Sequence, residues 1–144
     1  MRPRQLIPFV TVLLAAAGVF AAEAPKVDKK DQTSTVKFEH LVTGHLAELN
    51  GRYKLRATET VYAPGGYIGQ HHHAGPGIRY VAEGELTYMQ PDRTTIYKTG
   101  DYFYESGDTT HTAYNYTKGV VRIINFELLP AGWQGASAIP PVAH

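Results

Sequence analysis

Beyond residue 50 the chain is written in short runs of alternating apolar and polar side chains, each closed by turn-forming residues. Tyr53 to Tyr62 alternates imperfectly, with Tyr53, Leu55, Ala57 and Val61 on one face, which predicts a strand with that face apolar. Asn50-Gly51 before it and Pro64-Gly65-Gly66 after it are turn signals. Ile78 to Ala82 reads as a strand, turned by Glu83-Gly84-Glu85 into a hairpin partner at Leu86 to Gln90. Pro91-Asp92-Arg93 leads into Thr94 to Lys98, and Gly100-Asp101 into Tyr102 to Glu105. Thr110 to Tyr116 and Val120 to Leu128, joined near Lys118-Gly119, are the last strong strands. No long stretch here carries a helical period. Short strands at close spacing predict an all-β sandwich or barrel, not a parallel α/β sheet. The tail from Pro130 to His144, rich in proline, glycine and alanine, is expected to wrap the outside with Trp133 as its pin.

The ends behave differently. Arg2 and Arg4 precede an apolar run from Leu6 to Ala22 that only Thr11 breaks, and Ala22-Glu23-Ala24 follows as a small-x-small pattern. Those are the parts of an export signal, so residues 1–24 are expected to be a removable signal peptide. A membrane anchor is the alternative, but a run of about 17 residues is at the low edge for a spanning helix. Residues 25–35 carry Lys26, Asp28, Lys29, Lys30 and Asp31 and little that could pack. They are expected to be a flexible leader, leaving 36–144 as the folded domain.

At 144 residues the chain is one domain, long enough for a core without covalent staples. The absence of cysteine excludes disulfides and thiolate metal sites. Ten tyrosines favour strands and a pocket with hydroxyl-bearing walls. Without Arg2, Arg4 and Glu23, the 14 basic and 13 acidic residues become 12 and 12. A neutral mature chain gives no reason to expect nucleic acid or an anionic membrane as partner. An exported chain without cysteine points to a bacterial periplasm or exterior.

The chemistry centres on Gly65-Gly-Tyr-Ile-Gly-Gln-His71-His72-His73-Ala-Gly-Pro-Gly77. On a strand, His71 and His73 face one interior point while His72 faces away. By themselves these histidines fit either a chelating strand face or a solvated polar loop. His40, His45 and His144 stand apart and read as surface residues. A second segment, from Gly100 through Ser106, Asp108 and His111 to Asn115, places another histidine soon after a turn.

Together the two segments resemble the motif pair of the cupin superfamily, and the resemblance covers residues 53 to 128. Gly65, His71, His73 and Gly84 match the spacing of the first motif; Gly100, His111 and Asn115 match the second. The resemblance implies a double-stranded β-helix, or jelly-roll barrel, with a divalent metal inside on His71, His73 and His111. Iron is the first candidate, with Zn, Mn, Ni and Cu also suited to nitrogen ligands. Asn115 is structural in the family pattern. Small cupins also tend to pair as homodimers.

The chain departs from that pattern at three positions. Ser106 and Asp108 replace proline and glycine, and both are good turn formers. The third departure is chemical: Gly77 stands where the family has its glutamate ligand. Glu83 lies at the far end of that strand, roughly 20 Å away, so no carboxylate is expected at the site. Three neutral imidazoles would then leave a divalent charge uncompensated, favouring an anionic ligand.

Alternation from Gly77 points Arg79 inward. There it could grip a substrate carboxylate, pair with an acidic residue such as Glu127, or reach the rim. Tyr88, Tyr102 and Tyr104 are further candidates for the pocket wall. Three-histidine sites within the family resemble those of dioxygenases acting on oxygen-rich or enolisable substrates. A non-redox isomerase or hydrolase, and a small-ligand or metal-binding module without turnover, are the alternatives. Beyond the ligands no residue stands out as an acid or base.

Overall fold

The computed structural model describes residues 26–141; the expected signal peptide and His144 lie outside them. Among the described residues there are nine strands and no helix. They are β1 (Lys29–Leu41), β2 (Tyr53–His73), β3 (Gly77–Glu83), β4 (Glu85–Met89), β5 (Thr94–Lys98), β6 (Tyr102–Glu105), β7 (His111–Tyr114), β8 (Val121–Pro130) and β9 (Ala138–Ile139). The sheet runs β5-β4-β7-β2-β8-β3-β6, with β1 and β9 added onto β2, and every pairing is antiparallel. Rolled up, it makes a nearly closed jelly-roll barrel, as the short alternating runs predict.

Strand β2 organises the roll. Residues 53–62 pair with β8, and residues 67–73 pair with β7 and β9. Pro64-Gly65-Gly66, expected to end a strand, instead bends one long strand from one wall to the other. Gly65 takes φ +76°, and a Cβ on Gly66 would overlap the Asp31 carbonyl. Buried Asn115 clamps the bend. Its Nδ2 donates to the carbonyls of Tyr62, Ala63 and Gly119 at 3.2, 3.1 and 2.7 Å, and its Oδ1 accepts from Thr117 N at 2.9 Å.

Two expectations need correction. Residues 29–35 are not a loose leader; they belong to β1, which runs along β2 from Lys29 to Leu41. Most of β1 is exposed, so packing is not what holds it. Backbone pairing does, helped by a Gly69 N to Asp28 O bond of 2.7 Å and by Ser34 Oγ 3.0 Å from Thr60 Oγ1. The folded domain therefore begins before residue 36.

The second correction concerns the faces of β2. Leu55 is 52% exposed, whereas Lys54, Arg56, Thr60 and Tyr62 point inward. The inner face is polar because this part of the barrel encloses a cavity rather than packed hydrocarbon. Lys54 and Arg56 each bond Glu39 at 2.7 Å and bind the carbonyls of Trp133 and Gly135. The tail is thus held through its backbone carbonyls and through Ser137 Oγ, which donates to Glu127 Oε1 at 2.6 Å, while Trp133 Nε1 donates to Ala136 O within the tail itself. The apolar core packs Tyr62, Ile68, Val81, Leu86, Tyr88, Phe103, Ala113, Val121 and Ile123.

Candidate metal centre

His71, His73 and His111 come together in the barrel, with one ring nitrogen of each within 4.8 Å of the others. Register and a bulge bring this about. His71 lies directly across from His111, and a bulge between Ile68 and His71 shifts the pairing. The extra residue lets both Ile68 and His71 face inward although they are three apart, which re-aims the histidine into the barrel. His72 turns away and its backbone pairs with Ile139 of β9.

Each imidazole is held from behind. His71 Nδ1 donates to Gly69 O at 2.7 Å and His111 Nδ1 to Thr109 O at 3.0 Å. His73 Nδ1 lies 3.2 Å from both Ser137 Oγ and Glu127 Oε1. That fixes the tautomer and leaves Nε2 as the nitrogen available to a metal, the usual division between inner ligand and outer support. Burial, then the neighbouring His111 and His73, lowers the His71 pKa to about 3, so its ring is neutral and able to ligate.

One residue of the site lies outside the matching positions of both histidine motifs. Glu105, at the end of β6, is 6% exposed and reaches into the histidines. Its Oε1 lies 3.1 Å from His111 Nε2 and its Oε2 lies 3.2 Å from His73 Nε2. The expectation that no carboxylate stands at the site is therefore wrong. Glu105 sits directly across from Gly77 in the β3–β6 pairing, so it is near in space though 28 residues away along the chain. Alternation offered a signal: Phe103 and Glu105 share a face, and Phe103 is a core residue. Tyr102 and Tyr104, entertained above as pocket residues, occupy the opposite face and are each 67% exposed. Tyr88 does line the cavity, its ring 4.6 Å from that of His111.

Arg79 points inward as alternation predicts, and it lines the cavity. Its guanidinium holds two protein carboxylates, with Nη2 2.5 Å from Glu105 Oε2 and 3.1 Å from Glu127 Oε1. The predicted pairing with Glu127 is thus present, and Glu105 is a second partner. Burial would raise the pKa of Glu105, but Arg79 and then His111 hold it well below the usual carboxylate range. Burial likewise opposes ionisation of Glu127, and His73 with Arg79 overcomes it. Burial, then the charge of Glu105, pushes the Tyr88 phenol far up, so it keeps its proton at neutral pH.

The centre opens on a cavity of about 360 Å³, within the usual size range for a small-molecule site. Away from the histidines its wall mixes apolar side chains such as Ile68, Leu86 and Ile123 with a polar patch, and Lys29 and Arg56 also reach it. Gln32 Nε2 donates to Ser34 Oγ at 2.8 Å, Ser34 Oγ meets Thr60 Oγ1 at 3.0 Å, and Asn125 Nδ2 donates to Thr60 Oγ1 at 2.9 Å. Gln32 Oε1 is buried there without a hydrogen-bond partner.

Residues 58–127, which hold all three histidines and Glu105, match the profile of the Cupin domain family. The chain belongs to the cupin superfamily. Solved structures agree on the fold. This cupin is similar to the polyketide cyclase RemF from Streptomyces resistomycificus, at 17% identity over 79% of each chain with a TM-score of 0.56. It is also similar to a double-stranded β-helix protein from Klebsiella pneumoniae, at 20% identity over 76% of this chain and 85% of that one, with a TM-score of 0.53. A third likeness is to the cupin domain of an XRE-family transcriptional regulator from Enterobacter cloacae, at 14% identity over 69% and 97%, with a TM-score of 0.52. No curated protein matches the cupin in sequence. The donor set fits a divalent metal: three imidazoles with their outer nitrogens engaged, and a buried carboxylate among them.

Proposed function

We propose that this cupin is a metal-dependent dioxygenase acting on a small, oxygen-rich or enolisable organic anion. The observation that carries the reading is the set of three histidines turned into one cavity, each secured through Nδ1. Bound there, a divalent metal supplies Lewis acidity and, as iron or copper, electron exchange with oxygen. The protein's own groups set what can approach. Glu105 and Glu127 against Arg79 leave the site one negative charge, so a divalent ion brings the total to one positive. An anionic ligand completes that balance. The Gln32, Ser34, Thr60 and Asn125 patch suits a ligand bearing several oxygens, and the unpartnered Gln32 Oε1 can accept a hydrogen bond donated by a ligand hydroxyl. The protonated Tyr88 is a hydrogen-bond donor beside the histidines.

Lewis-acid chemistry without oxygen is the second reading. It is favoured by the protonated Tyr88 beside the histidines, which can donate a hydrogen bond to a polarised carbonyl oxygen. One experiment separates the two. The protein is purified without added metal, its metal content is measured, and oxygen uptake is followed with diketones, catechols and flavonols. Iron or copper with substrate-dependent uptake supports the dioxygenase. Zinc with no uptake against any of them moves the weight to Lewis-acid chemistry. A folded protein that takes up no metal refutes both. His111→Ala should abolish metal binding, and His72→Ala should leave it intact. We also propose export to the periplasm or exterior; N-terminal sequencing of the protein recovered outside the cytoplasm should begin after Ala24.

A further inference from the structure

We propose that Glu105 is the fourth protein ligand of the metal centre, entering from β6 in place of the glutamate that Gly77 lacks. This rests on the metal-centre reading and extends it to the coordination set. Gly77 lies between two carboxylate-bearing neighbours, Glu105 across one side of β3 and Glu127 across the other. Neighbouring strands are about 4.8 Å apart, so a side chain from either can reach the space a residue 77 side chain would have used. That space is closed to residue 77 itself. A Cβ there would overlap Arg79 Nη1 and the Phe126 carbonyl. The arginine occupies the place of the missing side chain and binds the carboxylate that replaces it.

Distances favour Glu105 over Glu127 as the ligand. Adjacent ligands on a six-coordinate ion with bonds of about 2.1 Å sit about 3.0 Å apart. Glu105 lies 3.1 Å from His111 Nε2 and 3.2 Å from His73 Nε2, the inner nitrogens. Glu127 faces His73 Nδ1, the outer nitrogen, and its Oε1 already accepts from Ser137 Oγ at 2.6 Å and from Arg79 at 3.1 Å. Glu127 is a positioning residue. Glu105 Oε2 is close to Arg79 but badly directed for a hydrogen bond, and it is a buried acceptor with none completed. An oxygen held in that state costs free energy unless something else meets it, and a cation between the imidazoles would.

The test uses metal-stripped protein titrated with Co²⁺, reading both affinity and the visible absorption of the bound ion. Glu105→Gln keeps the shape and removes the charge. It should weaken Co²⁺ binding at least tenfold, since losing even an outer supporting partner costs that much, and it should change the absorption spectrum. Glu127→Gln should leave the spectrum's shape unchanged. A folded Glu105→Gln protein that binds within threefold of the parent with the same spectrum overturns the proposal. Should that variant fail to fold, the unmutated protein decides the matter. With glutamate carboxyls labelled with ¹³C, Zn²⁺ should shift the Glu105 resonance more than any other, and an unmoved Glu105 resonance overturns it. Parent protein that binds no Co²⁺ removes the metal centre altogether. Binding that ignores Glu105 removes only this ligand.

Discussion

Replacing Arg79 by glutamine withdraws the one positive charge from a buried cluster. Arg79, Glu105 and Glu127 are 2%, 6% and 3% exposed, so none can turn to water without opening the barrel. Nη2 stands 2.5 Å from Glu105 and 3.1 Å from Glu127, and its loss leaves two carboxylates facing each other across Gly77. Removing one partner of a buried ion pair costs about 3–5 kcal/mol. Glutamine can still donate to one carboxylate, which puts the expected loss near the lower end, about 3 kcal/mol. At roughly 4 °C per kcal/mol for a domain of this size, Tm should fall by about 12 °C. Thermal and urea unfolding of metal-free protein, followed by circular dichroism, measures it. Divalent metal should then stabilise the variant more than the parent, because the ion supplies the missing positive charge. A variant within about 3 °C of the parent, gaining no more from metal, would refute the reasoning. It would mean that the carboxylates shed their charge or reach solvent at little cost.

Three other outcomes are expected. Asn115→Ala removes the side chain that serves three carbonyls at the bend in β2 and should cost about 3 kcal/mol, read as a lower urea midpoint. Gly77→Ala places a methyl group against Arg79 and the Phe126 carbonyl; about 1–3 kcal/mol of stability should go, with weaker Co²⁺ binding as the Arg79–Glu105 pair is displaced. Hydrogen bonds from Lys54 and Arg56 hold the Glu39 carboxyl below its ordinary pKa. That stabilisation is complete above the ordinary carboxylate value and is lost as pH falls through the depressed one. The Tm difference between the parent and Glu39→Gln should therefore narrow as pH is lowered from about 7 to 3.

Much of this site is written in local spacing. His71 and His73, two apart, share a face because strands alternate, and the spacing from Gly100 to His111 and Asn115 places the third histidine and the clamp. The runs Thr94 to Lys98 and Tyr102 to Glu105 are strands with those bounds, since turn residues mark their ends. Alternation says which residues share a face, but not which face is inside. On β2 the polar face turned inward, because the barrel there surrounds a cavity; on β6 the inward pair is Phe103 and Glu105, not the tyrosines. β1 left no apolar pattern, because it is held by backbone pairing along β2 and not by burial. Glu105 was hidden for the deepest reason. Its place beside the histidines and across from Gly77 is a matter of strand register, and register is set by the whole rolled sheet, which no local stretch of the chain contains.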